Sequence, residues 1–501
     1  MTQAADRIFR NAELHTLTNP DETYEAVAVR DGEIVRVDSE YEIEFLEGVE
    51  TDVVDCGGGV LLPGFIDAHT HVEYAGKRLV HADLAGTTDR EEALDRIRES
   101  ADDEGWIIGF GYDESTWPES EYLTREELDG ISTDQPVVAF REDMHTASVN
   151  SVVLERYADE MGENVQREGG EPTGVVTEDA ASLLGDETAP DREAMGRLLS
   201  AAQSHAHSLG ITGVHDMVRN TEAPGVYREM ELDGELALRV RLYYWETHFE
   251  AVEELGLRTN HGSEFVEVGG IKSFTDGALG ARTAKLYDPY EDGEGTGEWV
   301  VTPEALAETV DDATELDLQV AVHAIGDEAV DVSLETLPDD PSARHRIEHA
   351  ELVGTELSGF HAVASMQPNF LKWAREGGLY DSRIGPERSR ASNPFAEILE
   401  EGVPLAFGSD CMPMNPLYGI QQAVTARDDR QRLTVTQALR AYTSGAAYAG
   451  FDEDRLGTIE PGKRADFVLL SDSPWETPND EIADIDVAKT IVDGSVVYEN
   501  E

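Results

Sequence analysis

Residues 65–71 read FIDAHTH, an apolar start that turns polar and ends in two histidines two apart. In an extended strand successive side chains alternate between faces, so His69 and His71 share one face at the strand's end. Seven more short β-branched runs with polar ends follow: ITGVHDM (211–217), RVRLYYW (239–245), GIKSFTD (270–276), LQVAVHAIGD (318–327), HRIEHAE (345–351), AVASMQP (362–368) and PLAFGSD (404–410). Helix-like stretches separate most of them, such as PEALAETVDDATELD after Thr302 and NPFAEILEEG after Ser392. Eight strand–helix units predict an α/β chain folded as a parallel TIM (β/α)8 barrel, ahead of a doubly wound sheet.

About 140 residues separate the first run from the second, too many for one helix. The gap holds its own strand-like runs, GWIIGFGYDE and PVVAFRED, which predicts an inserted subdomain at about 75–205. Both ends of the chain read as short alternating strands. RIFRNAELHTL, YEAVAVRDGEIVRVD and DVVDCGGGVLL stand at one end, LGTIEPGKRADFVLLS and VAKTIVDGSVVYEN at the other, and an Asp31-Gly32 turn breaks the second of them. A small β-sandwich domain built from 1–62 and 455–501 is expected around a barrel of 63–454.

The 501 residues carry 104 acidic and 38 basic side chains, a formal net charge of −66. Only six of the basic residues are lysines: Lys77, Lys272, Lys285, Lys372, Lys463 and Lys489. Such a surface repels nucleic acid and anionic membranes, whose binding is built on clustered Lys and Arg. Self-repulsion on this scale is tolerable where salt is molar, so a salt-adapted member of an acidic proteome is expected. Two cysteines, Cys56 and Cys411, make no disulfide framework and no zinc motif. MTQAADRIFRNAELHT lacks the features of a signal peptide, and no run approaches a membrane span; the expectation is a soluble cytoplasmic protein.

Active sites of TIM barrels lie at the C-terminal ends of the strands. His69 and His71 end the first run, His323 the fifth, His349 the sixth and Asp410 the eighth. Imidazoles with a carboxylate suit zinc and its neighbours rather than calcium or magnesium. His345 shares the parity of His349 but lies at the other end of its run. A second pair, His205 and His207 in AAQSHAHSLG, sits in a helical pattern; residues two apart there diverge by about 200° and cannot share an ion, so both are expected on the surface. Lys272 lies inside an apolar strand. Burial lowers a lysine pKa, and a neutral amine can take up carbon dioxide to give a carbamate able to bridge two metals; the rival readings are a lysine paired with Asp276 or reaching solvent, with Asp276 itself a rival ligand. His215 ends the second run as a candidate donor to a developing oxyanion or a partner to a ligand. In the insert, Asp113, Trp117, Arg141, Asp143, His145 and Asn150 are candidates for substrate recognition, Asp113, Arg141 and above all His145, against the plain alternative of internal salt bridges and turns.

These motifs together resemble the amidohydrolase superfamily, in the branch of metal-dependent hydrolases that includes N-substituted formamide deformylase-like proteins. LLPGFIDAHTH, REDMHTASVNS, GIKSFTDGALGARTA, HAIGD, RIEHAE, MQP, GSD and LGTIEPGKRADFVLL carry the resemblance, which spans essentially the whole chain. It implies His69, His71, His323 and His349 as ligands of one or two divalent metals, with zinc the expected ion, carboxylated Lys272 as bridging ligand and Asp410 as ligand and proton shuttle. Cys411 beside Asp410 is a departure, read as a small buried side chain. The implied activity is hydrolysis of a non-peptide carbon–nitrogen bond, in an amide or N-formyl amine of a small molecule, by water that the metal activates. The alternatives are a mononuclear aminohydrolase acting on a heterocycle, which has no need of Lys272 as a bridge, and a non-catalytic metal-binding scaffold, which six occupied metal-site positions argue against. A homodimer rests on analogy alone.

Overall fold

The computed structural model describes residues 3–101, 105–142, 144–354 and 357–500, and the chain divides into two compact units, Met1–His71 with Gln203–Glu501, and Val72–Ala202.

The first unit contains the barrel. Its strands are β1 (Phe65–Thr70), β2 (Ile211–Val218), β3 (Arg239–Trp245), β4 (Val266–Phe274), β5 (Gln319–Ala324), β6 (Arg346–His349), β7 (Val363–Met366) and β8 (Leu405–Phe407). All eight runs expected from the sequence are strands, each pairing in parallel with its sequence neighbour. The ring is drawn together beyond β8, where the N–H groups of Ser409 and Asp410 donate to the His69 carbonyl at 3.1 and 2.8 Å. A Cβ at Gly408 would lie 2.3 Å from the His69 nitrogen, so only glycine permits this approach.

Helices cover the outside for ordinary amphipathic reasons. In Pro303–Glu315, Thr302 caps the Ala305 N–H, proline occupies the first turn, and Leu306, Val310 and Ala313 form the buried stripe at helical spacing. Among the described residues no helix is long and apolar enough to cross a membrane.

Strands from both chain ends form two further sheets. One runs Glu33–Asp38, Ala26–Arg30, Arg7–Arg10, Asp52–Asp55; the other runs Ser495–Glu499, Val487–Val492, Phe467–Leu470, Val60–Pro63, Glu13–His15, Thr23–Tyr24. They share one apolar cluster that includes Phe9, Leu14, Val29, Leu61, Phe467 and Ile491, with Phe9 edge-on to Phe467 at 5.6 Å. The Asp31-Gly32 turn is present, both residues at positive φ (52° and 77°), as a tight hairpin requires.

The Val72–Ala202 unit is built on a six-stranded mixed sheet in which Ile107–Tyr112 and Val137–Arg141 lie side by side. Alternation divides its apolar residues between two faces. Ile108, Phe110, Val138 and Phe140 pack with Val153, Leu154 and Leu184, while Ile107, Val137 and Ala139 pack with Ala93, Leu94, Ile97 and Leu128.

Candidate metal centre

The C-terminal ends of β1, β5 and β6 and the turn after β8 bring His69, His323, His349 and Asp410 to one place. Ligand atoms of His69, His349 and Asp410 all lie within 4.8 Å of one another. The His71 Nε2 is 3.3 Å from Asp410 Oδ1, that of His69 is 3.8 Å from the same oxygen, and the His323 ring centroid is 4.4 Å from that of His349.

Each imidazole has one ring nitrogen tied to a fixed acceptor, and His71 has its Nε2 against Asp410 as well. His69 Nδ1–H donates to Glu348 Oε2 at 2.5 Å, His71 Nδ1–H to the Met217 carbonyl at 3.0 Å, and His349 Nδ1–H to Gln367 Oε1 at 2.7 Å, while His323 donates from Nε2 to the Gly277 carbonyl at 3.1 Å. The lone pair is thereby left on the other nitrogen of His69, His323 and His349, the arrangement that suits imidazoles to a metal. Burial lowers the pKa of His69, drives that of His323 well down and takes that of His349 to about 3, so these three are neutral donors. For His71 burial acts in the same direction, but the Asp410 carboxylate outweighs it and raises the pKa. Burial alone would raise Asp410; the His71 hydrogen bond and the neighbouring imidazoles hold it well below the usual carboxylate range. Lone-pair imidazoles around an ionised carboxylate fit a divalent ion of the zinc type.

Lys272 is 1% exposed. Its Nζ donates to the Ser273 carbonyl at 3.2 Å and sits 4.0 Å from the Phe274 ring centroid. Burial lowers its pKa to about 7, against the opposing pull of Glu348 and Asp410. Neither plain alternative describes it. The side chain does not reach solvent, and Asp276 is engaged elsewhere, its carboxylate accepting the N–H groups of Lys285, Ile325 and Gly326 at 2.8–3.0 Å.

The site depends on residues that the sequence reading passed over. Glu348 and Arg346, both fully buried, face the barrel interior: Arg346 Nε donates to Glu348 Oε1 at 2.7 Å, and its other nitrogens reach the Ala68 carbonyl, Ser365, Tyr243 and His215. His349 therefore has the outward parity. It turns into the site because the chain leaves β6 with positive φ at His349 (73°) and Ala350 (45°). The signal available in the sequence was the pair of charges inside the apolar run HRIEHAE.

The other residues named from the sequence have the following surroundings. His215 lies beneath the cluster, its Nδ1 accepting from Arg346 at 2.8 Å, with burial holding its pKa well down; it belongs to the interior network rather than to a donor at the mouth. Cys411 is a buried thiol 3.1 Å from Thr70 Oγ1, its pKa raised by burial to about 12, as a small buried side chain should be. His205 and His207 are on a helix, but His207 is not a surface residue: it is 4% exposed and donates to the Ala237 carbonyl at 3.1 Å, and His205 is half-buried. In the Val72–Ala202 unit, Arg141 pairs with Asp113 at 3.0 Å and Glu114 at 2.8 Å, Trp117 is buried with its N–H on the Thr87 carbonyl, and Asn150 caps the helix Ser151–Met161. These are internal contacts of the kind the plain alternative named. His145 is exposed, with Glu178 at 3.4 Å, and Asp143 lies outside the described residues.

A parallel barrel with imidazoles and a carboxylate gathered at the C-terminal ends of its strands defines a metal-dependent hydrolase type of architecture. The model of the amidohydrolase family matches residues 52–498. The Bacillus subtilis protein YtcJ is 30% identical over 98% of this chain and 99% of its own, and N-substituted formamide deformylase of Arthrobacter pascens is 26% identical over 100% and 99%. The crystal structure of a metal-dependent hydrolase from Pyrococcus furiosus superposes with a TM-score of 0.81 at 29% identity, covering 94% of this chain and all of that one. The chain belongs to the amidohydrolase family, and it is an enzyme acting on carbon–nitrogen bonds.

Proposed function

We propose that the protein hydrolyses the C–N bond of a small-molecule amide or N-formyl amine at the centre formed by His69, His71, Lys272, His323, His349 and Asp410. The observation that carries the reading is a buried lysine with a pKa near 7 among neutral imidazoles and an ionised carboxylate. A divalent metal bound by these residues supplies Lewis acidity toward the substrate carbonyl and toward water. As a neutral amine Lys272 would add to carbon dioxide, forming an N–C bond and releasing one proton, and the carbamate, one negative charge shared by two oxygens, would then help the histidines hold the metal. Asp410, ionised at neutral pH, accepts the proton of the attacking water and returns it to the departing nitrogen as the C–N bond breaks. Glu348 and Gln367 hold His69 and His349 in their tautomers throughout.

The test is elemental analysis and product assay on protein purified in multimolar KCl. About two divalent ions per chain, falling in Lys272→Ala, with release of amine and formate or carboxylate, is the expected result. Asp410→Asn should keep its fold and lose activity by roughly 10²–10⁴-fold. One ion per chain, indifferent to Lys272, together with ammonia release from aminoheterocycles, would replace this reading by the deaminase one.

A further inference from the structure

Three aromatic rings at the ends of adjacent strands form a continuous wall leading away from the metal centre. Phe274, the last residue of β4, stacks on the His323 ring at 4.7 Å and carries Lys272 Nζ over its face. Trp245, the last residue of β3, packs on Phe274 at 4.5 Å. Both are half-buried and not sealed in the core. Beyond them stands Arg219, one residue past the end of β2, exposed, with its guanidinium 4.2 Å from the Trp245 ring centroid.

Arg219 differs from the many arginines of this chain that are paired with carboxylates. In a chain with 104 acidic residues, Arg239, Arg241, Arg344, Arg346 and Arg383 are all matched to carboxylates. Among the described residues no carboxylate or carbonyl is hydrogen-bonded to Arg219, which is held by the face of an indole alone. A guanidinium lying on a ring keeps its N–H donors in its own plane, directed past the ring edge, which is the geometry for bidentate capture of a planar anion.

We propose that Arg219 is the specificity residue of this site and that the substrate is an anionic amide: a reacting C–N group at the metal centre, an apolar body along Phe274 and Trp245, and a carboxylate on Arg219. An N-formyl or N-acyl amino acid with an apolar side chain has this layout. The inference rests on the C–N hydrolase reading of the same centre. Because the screening length in molar salt is about 3 Å, only a contact pair survives there, so the effect is one of docking and not of long-range attraction.

The experiment compares N-formylphenylalanine with N-formylphenethylamine, the same body without its carboxylate, on holoenzyme in multimolar KCl. Wild type should favour the acid in kcat/KM, and Arg219→Gln should lower kcat/KM for the acid about 10–100-fold, chiefly through KM, while leaving the neutral amide unchanged; Arg219→Lys should retain part of the preference. Equal rates for the pair in wild type, or equal losses on both in the variant, overturn the proposal. If neither compound is hydrolysed, the N-formyl part of the hydrolase reading fails, and calorimetric titration of the same pair decides this proposal separately. Tighter binding of the acid that disappears in Arg219→Gln supports it, and equal affinities overturn it.

Discussion

Glu348 governs how His69 meets an ion. Its Oε1 accepts from Arg346 and its Oε2 from both His69 and Arg346, and although burial would raise its pKa, those partners hold it well below the usual carboxylate range. A permanently ionised acceptor on Nδ1 fixes the tautomer of His69 and increases its basicity at Nε2. Glu348→Gln should therefore weaken metal binding about 10–100-fold, read by competition with a chromophoric chelator, and alter the visible spectrum of the cobalt-substituted protein. His345, four residues from His349 on the same run, is a separate case. It is 4% exposed, its Nδ1 accepts the Val320 N–H at 3.0 Å, and burial lowers its pKa to about 4. The unfolded chain takes up a proton near pH 6.5 while the folded one resists it, so stability is complete above pH 6.5 and falls as pH drops toward 4. The loss amounts to about 3 kcal/mol for this group. His345→Asn, which keeps an acceptor, should flatten the pH dependence of unfolding over that window; an unchanged slope would remove His345 from it. The sequence showed which histidines end the strands. It did not show that His349 enters the site through a positive-φ bend, because strand parity is a rule for extended backbone and says nothing of the residue that leaves it.

The strands were legible because each buried run is short, β-branched and bounded by polar residues, and the helices because their apolar residues recur every three or four positions. Contacts between distant elements were not, since they depend on which ends meet in space. Arg239 at the start of β3 illustrates this. Its guanidinium takes both oxygens of Asp466 at 2.6 and 3.0 Å and one of Asp493 at 2.6 Å, joining the barrel to the segment that precedes strand Phe467–Leu470 and to the turn before Ser495–Glu499. Arg239 and Asp466 are 6% and 4% exposed in their side chains. Arg239→Leu would leave Asp466 buried without its cation and should lower unfolding free energy by about 3–5 kcal/mol in denaturant titration. A loss under 1 kcal/mol would mean that water replaces the arginine, and that the joint is held by the apolar cluster around Phe467 instead.

For the molecule as a whole, the net charge of −66 sets two effects of salt against each other. Exposed pairs such as Arg98–Glu91 and Arg197–Glu193 are worth about 0–1 kcal/mol each and weaken as salt rises. Buried pairs such as Arg346–Glu348 and Arg239–Asp466 are little affected, because no counterion reaches them. Opposing both is the mutual repulsion of carboxylates that have no cation available, which acts over tens of ångströms at low salt and is cut to a range of about 3 Å at 1 M. With 104 acidic residues to 38 basic ones, most carboxylates belong to this last group, so its relief must exceed the loss of the exposed pairs. We therefore propose a protein adapted to high salt, whose unfolding midpoint rises from 0.1 to 3 M KCl. Potassium chloride is the salt to use, since it screens without the strong exclusion effect of sulfate, which would stabilise any fold by strengthening apolar burial. Higher stability at 0.1 M than at 3 M KCl would sink the idea and leave the acidity to be explained by solubility alone.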